Sequence, residues 1–170
     1  MSIKISYKKG ISEKTIKNYV LFANEEFKIN GLSKLTLSKQ SNQINRTINS
    51  NKSKKKEFII FNNSPDQKII LIKIKNNQTS TENEKKGANF YNFVKSNLLT
   101  NLTFFDNNIY ETQTKKKIFI EEFLHGMQLK SYEFNKYKTK KEITDININI
   151  VFRKKIPTKI KNNRFTSLLE

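Results

Sequence analysis

Phe58-Ile59-Ile60-Phe61-Asn62-Asn63-Ser64-Pro65-Asp66-Gln67-Lys68-Ile69-Ile70-Leu71-Ile72-Lys73-Ile74-Lys75 is the stretch on which the fold turns. Two runs rich in Ile and Phe flank a cluster of turn formers. Pro65 sets φ, and the Asn and Asp side chains can cap nearby backbone groups, so residues 58–61 and 67–75 read as the arms of a β-hairpin. The second arm starts as an unbroken apolar run. It then alternates Ile with Lys, as a strand does when it passes from full burial to an exposed end.

Downstream, Thr81-x-x-Glu84 has the spacing of a capping box, in which a hydroxyl and a carboxylate satisfy backbone N–H groups at a helix start. Ala88, Tyr91, Val94 and Leu98 follow at steps of three and four, widened by Phe90 and Phe93 into one apolar face. Residues 101–106 read as a strand. A second helix is expected from near Thr114, with Ile120, Phe123, Leu124 and Met127 on one face. Residues 145–152 alternate Ile with Asn before turning wholly apolar, which marks a late strand; Pro157 ends the regular pattern.

Upstream, Ile3, Ile5 and Tyr7 alternate with polar residues, and residues 18–23 form a short apolar run. Both read as strands, and they suggest an opening pair. Residues 31–56 are polar, with Leu32, Leu35, Ile44 and Ile48 scattered among them, enough for one short helix and an exposed loop. Strands, then helices, then strands argue for an α/β three-layer sandwich, a mixed sheet flanked by helices.

The 170 residues fit one domain, and 13 Phe and 6 Tyr supply bulky material for its core. The longest apolar run, residues 69–72, is far short of a membrane span, and the N-terminus lacks the pattern of a secretory signal. Without cysteine there are no disulfides or thiolate metal sites, so a soluble cytoplasmic protein is expected. The net charge of +18 points toward polyanions, yet only Arg46, Arg153 and Arg164 offer the bidentate fork suited to phosphate and guanine. Lys, Asn and Ile are abundant while Gly, Ala and Pro are scarce, the signature of an AT-rich coding sequence. Part of the charge therefore reflects codon usage, and weak, salt-sensitive nucleic-acid binding is the expectation.

Catalytic equipment is sparse. His125 is the sole histidine; within an amphipathic helix it reads as a surface or hydrogen-bonded structural residue instead of a ligand, and no catalytic partner stands near it in sequence. Glu121 and Glu122 are adjacent and diverge on a helix, so they read as a solvated face instead of a chelate. Gly10, Gly31, Gly87 and Gly126 are the only glycines, too dispersed for a phosphate-cradling loop. The lysine runs 54–56, 115–117 and 138–141 flank regular elements, where charge discourages edge pairing. Tyr132, Phe134 and Tyr137 beside Lys136 and Lys138 are a weak nucleic-acid signal, since the same aromatics can cover a helix end.

The segment Phe123-Leu124-His125-Gly126-Met127-Gln128-Leu129-Lys130-Ser131-Tyr132-Glu133-Phe134-Asn135-Lys136-Tyr137-Lys138-Thr139-Lys140 resembles the end of the N-terminal domain of leucyl (cytosol) aminopeptidases, where a helix with a small-residue step leads into Leu-x-x-Tyr-x-Phe-x-x-Tyr-Lys-Thr. Gly126, Leu129, Tyr132, Phe134, Tyr137, Lys138 and Thr139 carry the match. Gly87-Ala88 and residues 163–170 resemble further parts of that family's domain and its interdomain junction, whereas residues 31–56 add nothing.

The resemblance implies a macro-domain-like fold for residues 1–152 and the start of an interdomain linker or helix in residues 153–170. It also implies a parent enzyme whose C-terminal domain holds two divalent metals, manganese or zinc, and releases N-terminal amino acids from peptides. That domain's Asn-Thr-Asp-Ala-Glu-Gly-Arg-Leu signature is absent, so no catalytic, cofactor or metal residue carries over. The implied partners are the catalytic domain and further copies in a hexamer, with no membrane.

Gly126 is expected to allow close helix packing, and Tyr132, Phe134 and Tyr137 to pack the helix end against the sheet or the partner domain. The chain stops at Glu170 within an apparently helical segment, which leads us to expect a piece of a longer protein. Three functions follow in order: a non-catalytic assembly domain of an aminopeptidase; a stand-alone basic nucleic-acid-binding module; and, by fold analogy only, an ADP-ribose-binding macro domain.

Overall fold

In a computed structural model of the chain, residues 3–29, 41–51, 56–105, 108, 119–132 and 145–152 are described. The strand read at residues 18–23 is the centre of the molecule. This β2 (Asn18–Ala23) is buried at every position. It lies between β5 (Asn101–Phe105) and β4 (Gln67–Lys73), parallel to both. A strand without polar alternation must be covered on both faces, which a parallel sheet with crossover helices provides.

Its neighbours complete a six-stranded sheet of order β1-β6-β5-β2-β4-β3, with β1 (Ile3–Lys8), β3 (Phe58–Ser64) and β6 (Ile146–Val151). Every pairing is parallel except the β3–β4 hairpin, whose turn is Pro65-Asp66. The expected pairing of the first two strands does not occur: β1 pairs with β6, and β6 and β5 separate it from β2. The physical reason is visible in their patterns. β1 alternates buried or half-buried Ile3, Ile5 and Tyr7 with exposed Lys4, Ser6 and Lys8, as an edge strand can, whereas β2 needs the interior.

Helices α2 (Ser80–Ser96) and α3 (Phe119–Ser131) cover one face. Phe90, Tyr91 and Val94 of α2 and Ile120, Phe123, Leu124 and Met127 of α3 pack there on Val20, Phe22, Ile70, Ile72, Phe104 and Ile148. The helix expected in residues 31–56 is α1 (Ser41–Asn51), whose Ile44 and Ile48, one turn apart, cover Tyr19, Leu21, Ile69 and Leu71 on the other face. Leu32, Leu35, Thr114 and Pro157, the lysine runs at 115–117 and 138–141, and Lys54 and Lys55 lie outside the described residues.

On the β1–β6 side the α1 face is polar. Asn147 donates to Asn101 Oδ1 (3.3 Å), Ser6 to Asn149 Oδ1 (2.7 Å), and Lys4 pairs with Asp145 (2.6 Å). This explains the Ile/Asn alternation of β6.

Two details at the ends of α2 differ from expectation. The capping box is formed by Thr79 and Glu82: Thr79 N–H donates to Glu82 Oε2 (2.7 Å), and Glu82 N–H donates to Thr79 Oγ1 (3.3 Å). Both Thr79-x-x-Glu82 and Thr81-x-x-Glu84 have the right spacing. The earlier start adds two helical residues and leaves Glu84 free for a contact with α3.

At the other end, Leu98 is not on the apolar face. It takes φ +54° one residue past the C-cap and is 84% exposed, while Leu99 is buried and donates its N–H to the Val94 carbonyl (3.0 Å). This is a Schellman-type ending, where glycine is the usual occupant because a Cβ is disfavoured in the left-handed region. Leu98→Gly is therefore expected to raise the stability of the domain by about 1 kcal/mol, read from the shift of the chemical-denaturation midpoint. A destabilised variant would show that the left-handed turn costs nothing here.

Candidate functional site

In an open α/β sheet, ligands bind beyond the carboxyl ends of the strands where successive connections leave to opposite faces. Here that point lies between β2 and β5. The chain leaving β2 runs to α1 on one face, and the chain leaving β5 runs to α3 on the other.

Asn108 is bonded to the end of β2 at this position. It is fully buried; its Oδ1 accepts from Phe22 N–H (2.6 Å), and its Nδ2 donates to the Phe22 carbonyl (3.0 Å). β5 pairs with β2 only at Tyr19 and Val20, so the Asn108 amide continues the ladder after β5 has ended. Above Phe22, aromatic rings fill the space: Phe119 at 5.1 Å and Phe123 at 5.6 Å in edge-on contact, with Phe104 at 5.8 Å.

Beyond β2 the chain turns tightly. Asn24 Oδ1 accepts from Glu26 N–H (3.0 Å) and Lys28 N–H (2.8 Å). Phe27 sits at φ +59° yet is buried, with Lys73 Nζ 4.9 Å from its ring centre. A bulky residue holds that conformation only when its surroundings over-determine it, so this turn is rigid packing.

The remaining polar chemistry lies between α2 and α3. His125 does have a partner, Glu84, 41 residues away, at 2.8 Å from its Nδ1. Glu122 is not simply solvated: it accepts from Asn83 Nδ2 (2.7 Å) and from Ser80 Oγ, tying the two helix starts together. Lys86, also buried, donates to the Lys73 carbonyl (2.8 Å) and lies 3.4 Å from Glu57. These groups pair with one another, although Asn83 Oδ1 is buried without a hydrogen-bond partner. Among the described residues no three acidic or imidazole groups converge as a metal site.

Of the residues singled out by resemblance, Gly126 is at the crossing of the two helices. A Cβ there would lie 1.9 Å from the Glu84 carbonyl oxygen, and one on Gly87 would lie 1.9 Å from that of Phe123. Leu129 and Tyr132 do not pack on the sheet; they are 57% and 88% exposed. Phe134, Tyr137, Lys138 and Thr139 lie outside the described residues.

Sequence reasoning missed Asn108, Asn83 and Lys86. Each looks in the sequence like one of many surface Asn or Lys residues, and only the long-range partner marks it.

No family model matches the chain, and no curated protein matches it. Solved structures do. A mutant form of tomato leucine aminopeptidase superposes with a TM-score of 0.66 at 16% identity, covering 94% of this chain and 34% of that one. The macrodomain of Thermus aquaticus DarG gives 0.57 at 6% identity, covering 91% of this chain and 100% of that one. An Oceanobacillus iheyensis macrodomain with MES bound gives 0.56 at 18% identity, covering 97% and 90%. The chain thus spans about a third of the length of the aminopeptidase and nearly all of each macrodomain. At these identities the likeness is one of fold, and the fold is macrodomain-like.

Proposed function

We propose that this macrodomain-like chain is a non-catalytic assembly domain of the kind a leucyl aminopeptidase carries beside its catalytic domain. One observation supports the reading: the chain superposes on the leucine aminopeptidase structure with a TM-score of 0.66 over 94% of its length, against 0.57 and 0.56 for the two macrodomains. At the end of β2, Phe22 packs in the core with Phe104, Phe119 and Phe123, and Asn108 bonds its backbone N–H and C=O. Two-metal peptide hydrolysis needs several convergent oxygen ligands, and the described residues assemble none. The metals, manganese or zinc, and the peptide specificity belong on this reading to a separate catalytic domain. Leu129 and Tyr132, exposed at the end of α3, are apolar contacts left for that domain.

Calorimetric titration with ADP-ribose and an assay of manganese-stimulated release of leucine from a peptide test it. Neither saturable binding nor turnover is expected, and either one overturns the proposal. Reading the source gene beyond the codon for Glu170 tests the rest: an in-frame Asp, Glu and Lys ligand set is the expected result.

The net charge of +18 favours a second reading, a basic nucleic-acid-binding module. That reading predicts oligonucleotide affinity that falls steeply with salt, with a log–log slope set by several released counterions. Binding unchanged between low and moderate salt, or absent at both, would remove it.

A further inference from the structure

Among the described residues β1 ends the sheet, with β6 as its neighbour. Phe152 N–H donates to the Lys8 carbonyl (2.9 Å), so in this parallel register the backbone groups of Lys4, Ser6 and Lys8 are directed toward β6. Those of Ile5 and Tyr7 point away from it, outward along the edge. The side chains divide between the two faces. Ile5 and Tyr7 are half-buried at the rim of the apolar layer under α3. Lys4, Ser6 and Lys8 are exposed on the other face, where Ser6 bonds Asn149 (2.7 Å). Asp145, paired with Lys4, is the one carboxylate in residues 3–9 and 145–152, and Lys9 extends the positive strip beyond Lys8.

We propose that the β1 edge takes up an acidic polypeptide segment as an added strand. Carboxylates at alternate positions of that segment face Lys4, Ser6 and Lys8, and the apolar side chains between them lie beside Ile5 and Tyr7. Charge selects the occupant. Lysines on an edge keep out a strand of like charge, a second copy at +18 included, and by the same field attract an acidic one. Opposite charges directly across a strand pair stabilise it. The outward amide and carbonyl groups supply the sequence-independent part of the affinity, and the alternation of lysine with Ile5 and Tyr7 supplies the preference. A nucleic acid fits this edge less well, because the lysine-bearing face, with Ser6, Asn147 and Asn149, holds no aromatic ring for a base to stack on.

The inference goes beyond the assembly reading and does not rest on it.

Fluorescence anisotropy tests it, with the full chain titrated at physiological salt into a labelled seven-residue peptide alternating glutamate with valine. Saturable binding is expected. The same peptide N-methylated at its valines keeps every charge but cannot donate its backbone N–H groups to the edge, and it is expected to bind at least about tenfold more weakly. Lys8→Glu in the protein is expected to cost a similar factor, whereas Lys130→Glu, an equal change of net charge on α3, is expected to leave the affinity within about twofold. If Lys8→Glu does not fold, the N-methylated peptide decides. Absence of saturable binding overturns the proposal. So does equal affinity for the N-methylated peptide, or for oligothymidylate of the same charge, since charge alone would then account for the contact.

Discussion

Gly126→Ala is expected to lower the stability of the domain by about 3 kcal/mol, or roughly 6–12 °C in melting temperature for a domain of this size. The added methyl would meet the Glu84 carbonyl oxygen at 1.9 Å, and the obstacle is helix backbone, which cannot rotate away as a side chain can. The two helices must separate. Separation loosens Phe123 and Met127 in the core and lengthens the Glu122–Asn83 and His125–Glu84 contacts. Alanine's better helix propensity returns only about 1 kcal/mol.

Gly87→Ala should behave alike, through the Phe123 carbonyl. The double variant should cost clearly less than the sum of the two, because one separation relieves both collisions. Additive losses would show that the glycines act independently and that the close crossing is not shared. A melting temperature unchanged by Gly126→Ala would remove the crossing argument altogether.

The second large effect is expected at Asn108. Replacement with alanine leaves the Phe22 N–H and C=O buried without their present partner, at a cost of roughly 3 kcal/mol for the two groups together. Asn108→Asp is no rescue. Its carboxylate can accept from the Phe22 N–H but cannot donate to the carbonyl, and it buries a charge. Denaturant titration gives the global loss, and amide exchange at Phe22 gives the local one. Undiminished protection of that amide in Asn108→Ala would show that another group can continue the β2 ladder.

Both effects act on the same packing: Asn108 holds the end of β2, and the glycine crossing sets how closely α3, which supplies Phe119 and Phe123, settles on Phe22.

The candidate site was legible only in outline. The lack of glycine loops and of clustered ligands pointed away from chemistry, and Gly126 stood out as a place for close approach. His125 is the hydrogen-bonded structural residue it was read as, but its partner and those of Glu122 were not legible, for one physical reason. Their partners, Glu84, Asn83 and Ser80, are on another helix some 40 positions away, and no short-range periodicity encodes that. Tyr132 was expected to pack against the sheet or a partner domain; it is not on the sheet, because aromatic character states what a residue gains from burial, not which surface buries it.

By itself the sequence determined the kinds of element and most of their places: the hairpin around Pro65-Asp66, the apolar run of β2, the faces of α2 and α3, and the half-polar late strand. These follow from backbone sterics, side-chain periodicity and local capping, which act over a few residues. Only the tertiary structure decided that β1 lies beside β6, that the earlier of two capping boxes starts α2, that Leu98 turns left-handed into solvent, and that Asn108 completes a strand 86 residues away. Those outcomes depend on which surfaces meet when the sheet and both helix layers are packed together, a condition on the whole chain that no local window contains.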